Sequence, residues 1–554
     1  MTNSLTNREI SRQFRLFAEL LLIHGQDERL ADLLSGAAYR LQRMETEVVE
    51  GDQGAWSSSF RPEVAKLIKE LVTTGTLQGL DELVQLTPAG LYDMMRIKGL
   101  GGKKLHILWK KAKIDNIEQL LAAAESGALR KLSGFAKKTE ENLVKAIGNL
   151  NETSVEFHYA DVAAAANLLV THLQKVLKTT FVSLCGEVRR RATTVSRIEI
   201  ITLPFPRSVK AAGLKKILHI ATRNGNSTEG YTPEEIPVTI YHATAETFIW
   251  QLFERTGNAE HVGKVSKKIR RRGSYKEESE IYKAAKLPFI VPEMREDLAE
   301  WEYAKRPRPL IEVDDIRGVV HNHTTWSDGV DRLEDFVAAC RRKKFEYVVI
   351  SDHSKNAHYA GGLKEEKVLR QLERIDELNE QMKPFRILSS IECDILVNGD
   401  LDFPKALLKK FDLVIVSVHQ QLKMTEEKAT ARVIRAIENP ATTILGHMTG
   451  RQLLVRPGYP LNFKKVIDAC ASNDVIIEIN ANPYRLDMDW SHLPYALKKG
   501  VMISIDPDAH SIPEIDNIQW GVAAARKGGL TREATWNAMP LKGVEEWLRK
   551  HRKV

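Results

Sequence analysis

From about Asp315 onward, short apolar runs alternate with amphipathic segments, which predicts repeating strand–helix units. The candidate strands are Gly318–Val320, Tyr347–Ile350, Phe385–Ser390, Asp412–Val418, Thr442–Leu445, Val475–Ile479 and Val501–Ile505. Seven β runs with helical sequence between them predict a (β/α)-type barrel. The first 150 residues have a different rhythm. Ile10, Phe14, Phe17, Leu20 and Leu21 recur at helical spacing, with Thr6-Asn7 as the expected N-cap. Two segments read as helix–turn–helix hairpins with glycine in the turn: Ile97-Lys98-Gly99-Leu100-Gly101-Gly102-Lys103-Lys104, and Leu132-Ser133-Gly134-Phe135-Ala136-Lys137-Lys138-Thr139. Residues 151–300 mix helices with short β runs at Phe181–Leu184, Ile198–Leu203 and Ile236–Tyr241. The charged, proline-containing stretch Lys305–Pro309 reads as a linker.

The ends of the C-terminal strands carry the chemistry. His321 and His323, His353, Glu392, His419, His447, Glu478, and Asp508 with His510 all follow apolar runs. A structural histidine would fall at random along strands and helices. Repeated placement at C-terminal strand ends is where βα barrels hold their functional groups. Imidazole and carboxylate are ligands of Zn²⁺, Mn²⁺ and Fe²⁺. His321-x-His323 directs both rings to one side of its strand, because side chains alternate. The pattern points to a multinuclear metal hydrolase.

Composition narrows the setting. A chain of 554 residues has room for about three or four domains. A formal charge of +8 favours a polyanionic partner. The four cysteines, Cys185, Cys340, Cys393 and Cys470, form no CxxC pair, which argues against a disulfide framework or a zinc knuckle. The N-terminal stretch lacks the apolar core of a signal peptide, and no run reaches about 18 apolar residues. A cytoplasmic protein with no membrane association, and a monomer, is expected.

His321-Asn322-His323-Thr324-Thr325-Trp326-Ser327-Asp328-Gly329 resembles the first motif of the PHP (polymerase and histidinol phosphatase) domain, Ser351-Asp352-His353-Ser354 the second, and Asp508-Ala509-His510-Ser511 the last. Glu392-Cys393-Asp394, Ser417-Val418-His419 and Gly446-His447 fit between them. The resemblance implies a distorted (β/α)7 barrel over residues 315–554. It implies two or three divalent metal ions (Mn²⁺, Zn²⁺ or Fe²⁺) held by His321, His323, Asp328, His353, Glu392, His419, His447, Asp508 and His510. Such ions, about 3.5–4 Å apart, activate a water as metal-bound hydroxide, so no protein nucleophile is expected. Arg451 and Arg485 follow the fifth and sixth strands and are candidates to hold phosphate. Asp352 is expected to orient a ligand.

Gly99-Leu100-Gly101 begins a sequence that looks like a helix-hairpin-helix motif. Its glycines admit a DNA phosphate to backbone N–H groups, and Lys103 and Lys104 add charge. The copy at Gly134, with Lys137 and Lys138, lacks a second glycine. The order of segments resembles the bacterial family X DNA polymerases along almost the full chain. It divides as a helical lyase-like domain (1–90), a helix-hairpin-helix region (91–150), a polymerase-beta-like palm and thumb (151–304), a linker (305–314) and a PHP domain (315–554), so a multidomain α+β and α/β architecture is expected. No lyase lysine can be assigned.

In that family the palm carries a Gly-Ser pair for the triphosphate and an Asp-x-Asp pair for two Mg²⁺. The matching stretch here runs from Gly186 to Glu199. Glu187 replaces the serine, Arg197 and Glu199 replace the two aspartates, and Thr239 stands where a third aspartate is expected. Too few carboxylates remain to hold two divalent ions, so loss of nucleotidyl transfer is expected. Arg189–Arg191 and the run from Lys267 to Arg272 remain as candidate DNA-backbone contacts. The resulting expectation is a DNA repair nuclease, a metal-dependent 3′-5′ exonuclease acting at 3′ ends, gaps or nicks, with abasic-site or 3′-phosphate processing as related activities. The rivals are a small-molecule phosphomonoesterase of histidinol-phosphatase type, a non-catalytic DNA-end-binding scaffold, and a working polymerase with unusual ligands.

Overall fold

Ile10, Phe14, Phe17, Leu20 and Leu21 are all buried along one face of the helix Asn7–His24, which packs on the helix Glu28–Leu41. The structure, a computed structural model, describes residues 7–41, 48, 60–95, 97, 100–136, 139–140, 143, 147, 156–205, 217–223, 226–270 and 273–551. Thr6, half of the expected N-cap, lies outside them. The chain divides into two compact units, one of residues 1–156, 214–223 and 229–237, the other of residues 157–213, 224–228 and 238–554.

Among the described residues of the first unit, every regular element before Phe157 is helical. The helix Pro62–Thr74 shows why such segments start and stop where they do. Proline fills its first turn, where no N–H is needed, and Gly75 closes it at φ 75°. One apolar core runs from Ile10 to Ile147.

The second unit begins with the short strand Phe157–His158, which pairs antiparallel with Thr194–Val195, and the helix Tyr159–Leu177. β1 (Val182–Cys185) pairs antiparallel with β2 (Ile198–Thr202), and β2 pairs parallel with β3 (Pro237–His242). All three overlap the expected β runs. Residues 306–312, at the expected linker, have no regular structure.

Eight further strands follow: β4 (Gly318–Val319), β5 (Tyr347–Ile350), β6 (Arg386–Ser389), β7 (Glu392–Asp394), β8 (Ile415–Ser417), β9 (Ile444–Leu445), β10 (Ile476–Asn480) and β11 (Ile503–Asp506). They form two parallel sheets, β6-β5-β4 and β7-β8-β9-β10-β11. Parallel pairing follows from the helices that separate most strands, and burial on both faces explains the continuous apolar runs. All four residues of β5 and all five of β10 are buried. Single parallel bridges, His353 to Glu392 and Asn322 to Ala509, link the two sheets at both junctions.

All seven expected runs contain a strand. The eighth, β7, was not expected. The apolar run that forms β6 crosses from one sheet to the other at Ser390-Ile391, so one stretch of sequence serves two strands. Among the described residues, no helix is long and apolar enough to cross a membrane.

A Cβ on Gly318 in β4 would run into the ring of Tyr347, which is fully buried in β5. Gly318→Ala is expected to destabilise the second unit by about 2–3 kcal/mol through overpacking. Urea unfolding followed by tryptophan fluorescence measures it; an unchanged midpoint would refute the tight packing.

Candidate metal centre

The strand-end residues converge. Four overlapping groups place ligand atoms within 4.8 Å of one another: His323, Asp328, His353 and His510; His321, His323 and Asp508; His321, Glu392 and His447; and His353, Glu392 and His419. Together they contain all nine residues singled out in the sequence. The histidines of these groups and Asp508 stand just past strand C-termini, Asp328 lies on the loop after His323, and Glu392 is the first residue of β7.

Glu392 lies at the middle. Its Oε1 is 2.9 Å from His447 Nε2, 3.1 Å from His419 Nε2 and 3.2 Å from His321 Nε2, while Oε2 is 2.9 Å from His353 Nδ1. Asp508 Oδ1 is 3.2 Å from His323 Nε2, and Asp328 Oδ1 stands 3.5 Å from His510 and 3.6 Å from His353. Close as they are, both Glu392 oxygens, His321 Nε2, both His323 nitrogens and His353 Nδ1 are buried without hydrogen-bond geometry to any partner. Buried polar atoms left this way are costly. Imidazole and carboxylate lone pairs gathered around shared space suit divalent cations, so the residues present fit a metal cluster.

Electrostatics agree with that arrangement. Burial opposes charge on Glu392, yet the imidazoles of His419, His321 and His353 hold its carboxyl well below the usual range. Asp508 is held low in the same way, against its burial, by His321, His323 and Arg485. Burial, together with the neighbouring rings of His353 and His510, pushes His323 down to about 3. Against burial, Glu392 and Asp394 raise His419 to about 10, and neighbouring carboxylates raise His321 and His510 as well.

Supporting carboxylates hold the rings. Asp394 Oδ1 is 2.5 Å from His419 Nδ1, and Glu478 binds both His321 Nδ1 and the His447 backbone N–H. Such contacts set ring orientation and tautomer. Glu478 thus holds a candidate ligand, although its place at a strand end resembles that of the candidate ligands themselves. For Asp394 the signal is the i, i+2 alternation from Glu392. Asp352, fully buried, accepts from Thr324 N and Oγ1, Ser327 Oγ and Gln371 Nε2. It shapes the turn that carries Asp328. His321 and Asp508 adopt left-handed backbone, at φ 60° and 51°, a conformation kept only where surroundings enforce it.

The two arginines differ. Arg485 Nη1 is 3.3 Å from Asp508 Oδ2, at the cluster. Arg451 donates to Asp489 at 2.6 Å and to the carbonyls of Arg485 and Leu486, so its donors are engaged in holding the loop that carries Arg485. Sequence reasoning missed Tyr359. Its ring, 69% exposed, has its centroid 6.3 Å from that of His353 and 6.4 Å from that of His419. Only its exposed position, which sequence does not reveal, marks it.

The positions expected to replace the polymerase motif lie near one another. Glu199 in β2 lies in register with Thr239 in β3. Arg197 Nη1 donates to Thr239 Oγ1 at 3.2 Å, and the Tyr241 hydroxyl donates to Glu199 at 2.9 Å. Gly186 has φ 59°, and a Cβ there would collide with the Glu199 carboxylate. Glu187 accepts from Ser196 N and Oγ. Arg189 is bound to Glu278 at 2.5 Å and Arg190 to Glu296 at 3.1 Å, so these two arginines are committed to internal pairs. Arg271 and Arg272 lie outside the described residues.

Of the hairpin residues, Gly99, Lys137 and Lys138 lie outside the described residues. Gly101 precedes the helix Gly102–His106 and has open space around its Cα. Gly102 is the sterically required glycine, since a Cβ there would strike Leu22 and approach Glu19 O at 2.9 Å. Lys103 pairs with Glu28 at 2.6 Å, and Lys104 lies 5.9 Å from the Phe135 ring centroid. Gly134 has φ 87° with open space around it.

No protein-family model matches the chain. It is 30% identical to "DNA polymerase/3'-5' exonuclease PolX" of Bacillus subtilis (strain 168), covering 98% of this chain and 99% of that protein. Its C-terminal part is also similar to shorter proteins. A "Probable phosphatase" of Thermoanaerobacter sp. (strain X514) is 27% identical over 42% of this chain and 95% of its own length. Another, of Caldanaerobacter subterraneus subsp. tengcongensis, is 26% identical over 42% of this chain and 91% of its own length. Similarity that spans both chains end to end shows that this protein belongs to the PolX family of bacterial DNA polymerases.

Proposed function

We propose that this protein is a DNA repair nuclease whose residues 315–554, a PHP domain in a distorted (β/α)7 barrel, remove nucleotides from DNA 3′ ends, and whose palm no longer polymerises. The observation that carries the reading is the convergence of nine imidazole and carboxylate side chains around buried polar atoms that lack hydrogen-bond partners. His321, His323, Asp328, His353, Glu392, His419, His447, Asp508 and His510 would hold two or three divalent ions. Bound there, the ions supply Lewis acidity to a phosphoryl oxygen and an activated water.

The remaining work falls to the chain. Glu392 joins two of the ligand groups and fixes their spacing. Asp394 and Glu478 hold His419 and His321 in ligating orientation. Arg485, beside Asp508, directs a guanidinium toward the phosphoryl group to be cleaved, and Arg451 holds its loop. The helix-hairpin-helix glycines, with Lys103 and Lys104, position the DNA backbone. The partner is therefore DNA with an accessible 3′ end.

The palm reading rests on charge. Arg197 places a guanidinium beside Thr239, where two divalent ions would need carboxylates, and the one remaining carboxylate, Glu199, takes the Tyr241 hydroxyl. The phosphatase relatives favour a second reading, a phosphomonoesterase that uses the same cluster on 3′-phosphates or small phosphate esters. Release of inorganic phosphate from histidinol phosphate, measured beside release of mononucleotides from DNA, separates the two.

Three outcomes are expected. A 5′-labelled primer–template is shortened stepwise with Mn²⁺, and the Asp508→Ala/His510→Ala variant abolishes this; intact primer in the wild-type reaction would overturn the nuclease reading. Addition of dNTPs and Mg²⁺ gives no extension; a lengthened primer would overturn the palm reading. Glu478→Gln and Asp394→Asn each weaken metal affinity by about 10–100-fold, read by chelator competition; wild-type affinity in both would remove their supporting role.

A further inference from the structure

A groove of about 1170 Å³ is lined in part by the loops that follow His419 and His447. Its walls are continuous with the ligands. One begins at Gln421, two residues past His419, and the other at Thr449, two residues past His447. Hydrogen bonds tie them to the cluster. Gly450 N donates to the His447 carbonyl at 2.9 Å, and Arg432 Nη1 donates to the carbonyl of Gln420, next to His419, at 3.0 Å. The groove exceeds the roughly 300–1,000 Å³ of a cleft for a small ligand, so it has room for more than one terminal nucleotide.

Its charge is one-sided. The lining includes five cationic residues, Lys423, Lys428, Arg432, Arg435 and Arg456, and among the described residues no aspartate or glutamate. The five are not equivalent. Arg432 is buried and binds the carbonyls of Leu396, Gln420 and Ile395. Arg435 pairs with Asp400, and Arg456 donates to the Gly450 carbonyl at 2.8 Å. Lys423 and Lys428 are exposed and have no carboxylate partner among the described residues. Between the cations lie apolar side chains, Leu422, Met424, Pro457 and Pro460, and Val397, which is 60% exposed. A cationic groove with apolar interruptions suits a single nucleic-acid strand, whose phosphates meet the lysines while its bases meet the apolar walls.

We propose that this groove holds the single DNA strand upstream of the bond being cleaved, with Lys423 and Lys428 on successive backbone phosphates and the 3′ end running past Gly450 into the metal centre. The proposal rests on the nuclease reading and names the track along which that substrate reaches the cluster. It accounts for how one cluster would favour a polynucleotide end over a small ester: a short ester reaches the metals without touching either lysine.

The test uses the full chain with Mn²⁺ and compares a single-stranded 20-mer with bis(p-nitrophenyl) phosphate. In Lys423→Glu/Lys428→Glu, kcat/KM for the 20-mer relative to the small diester is expected to fall about tenfold or more. The slope of its logarithm against log salt should become shallower by about 1.4, the value for two lost single-strand phosphate contacts. A second readout does not depend on turnover. All four native cysteines are buried, so Lys428→Cys adds an accessible thiol. With EDTA present, a 20-mer carrying an activated disulfide on a phosphate near its 3′ end is expected to couple to that thiol, and one carrying it at the 5′ end is not. An unchanged substrate ratio and salt slope, or equal coupling at both ends, would overturn the groove assignment and leave the nuclease reading standing. Wild-type protein that cleaves the small diester and leaves the 20-mer intact would overturn both.

Discussion

The C-terminal centre depends on one buried carboxylate. Glu392 is fully buried, five imidazoles lie within 3.6 Å of its two oxygens, and none of those contacts has hydrogen-bond geometry. A charge taken out of water needs compensation of comparable strength. Here the compensation comes from imidazoles separated by much of the chain, from His321 to His447, which is why two sheets must meet at this point. The bridge between His353 and Glu392 puts the backbone junction of the two sheets at the same place. Fold closure and site assembly are therefore one structural event, and a defect in either disturbs the other.

Much of this was legible in the sequence because ligands and strands carry mutually reinforcing signals. An apolar run followed by histidine or aspartate states both where a strand ends and what it presents, and His321, His353, His419, His447 and Asp508 all obey it. β7 was not legible, since three residues containing Glu392 and Asp394 have no apolar pattern. It is a strand because the sheet on its other side provides β8 as a partner. Tertiary pairing outweighs local propensity there. The same limit applies to Glu478, whose position resembles a ligand's. Only the fold shows that its carboxylate reaches His321 from behind.

Charged residues were the least legible. Arg451, Arg189 and Arg190 look alike in sequence to arginines that contact phosphate, yet each has a carboxylate partner inside the protein. Partner choice depends on residues far away in the chain: 38, 89 and 106 positions respectively. Glycine gave a similar lesson. Gly101 and Gly102 are adjacent, and the helix Asn7–His24 decides which of them must be glycine.

The two left-handed ligands, His321 and Asp508, are each followed by a residue of the bridge that joins Asn322 to Ala509. The first and last ligand segments are thus fastened to each other, with every other ligand between them in sequence. On the ribosome, a nascent chain that has emerged through Asn480 displays all but two of the nine, yet the far wall of the cluster is still in the tunnel or not yet made. Under the proposed reading, the metal centre is complete only once residue 510 has emerged, so loading would fall at the end of synthesis.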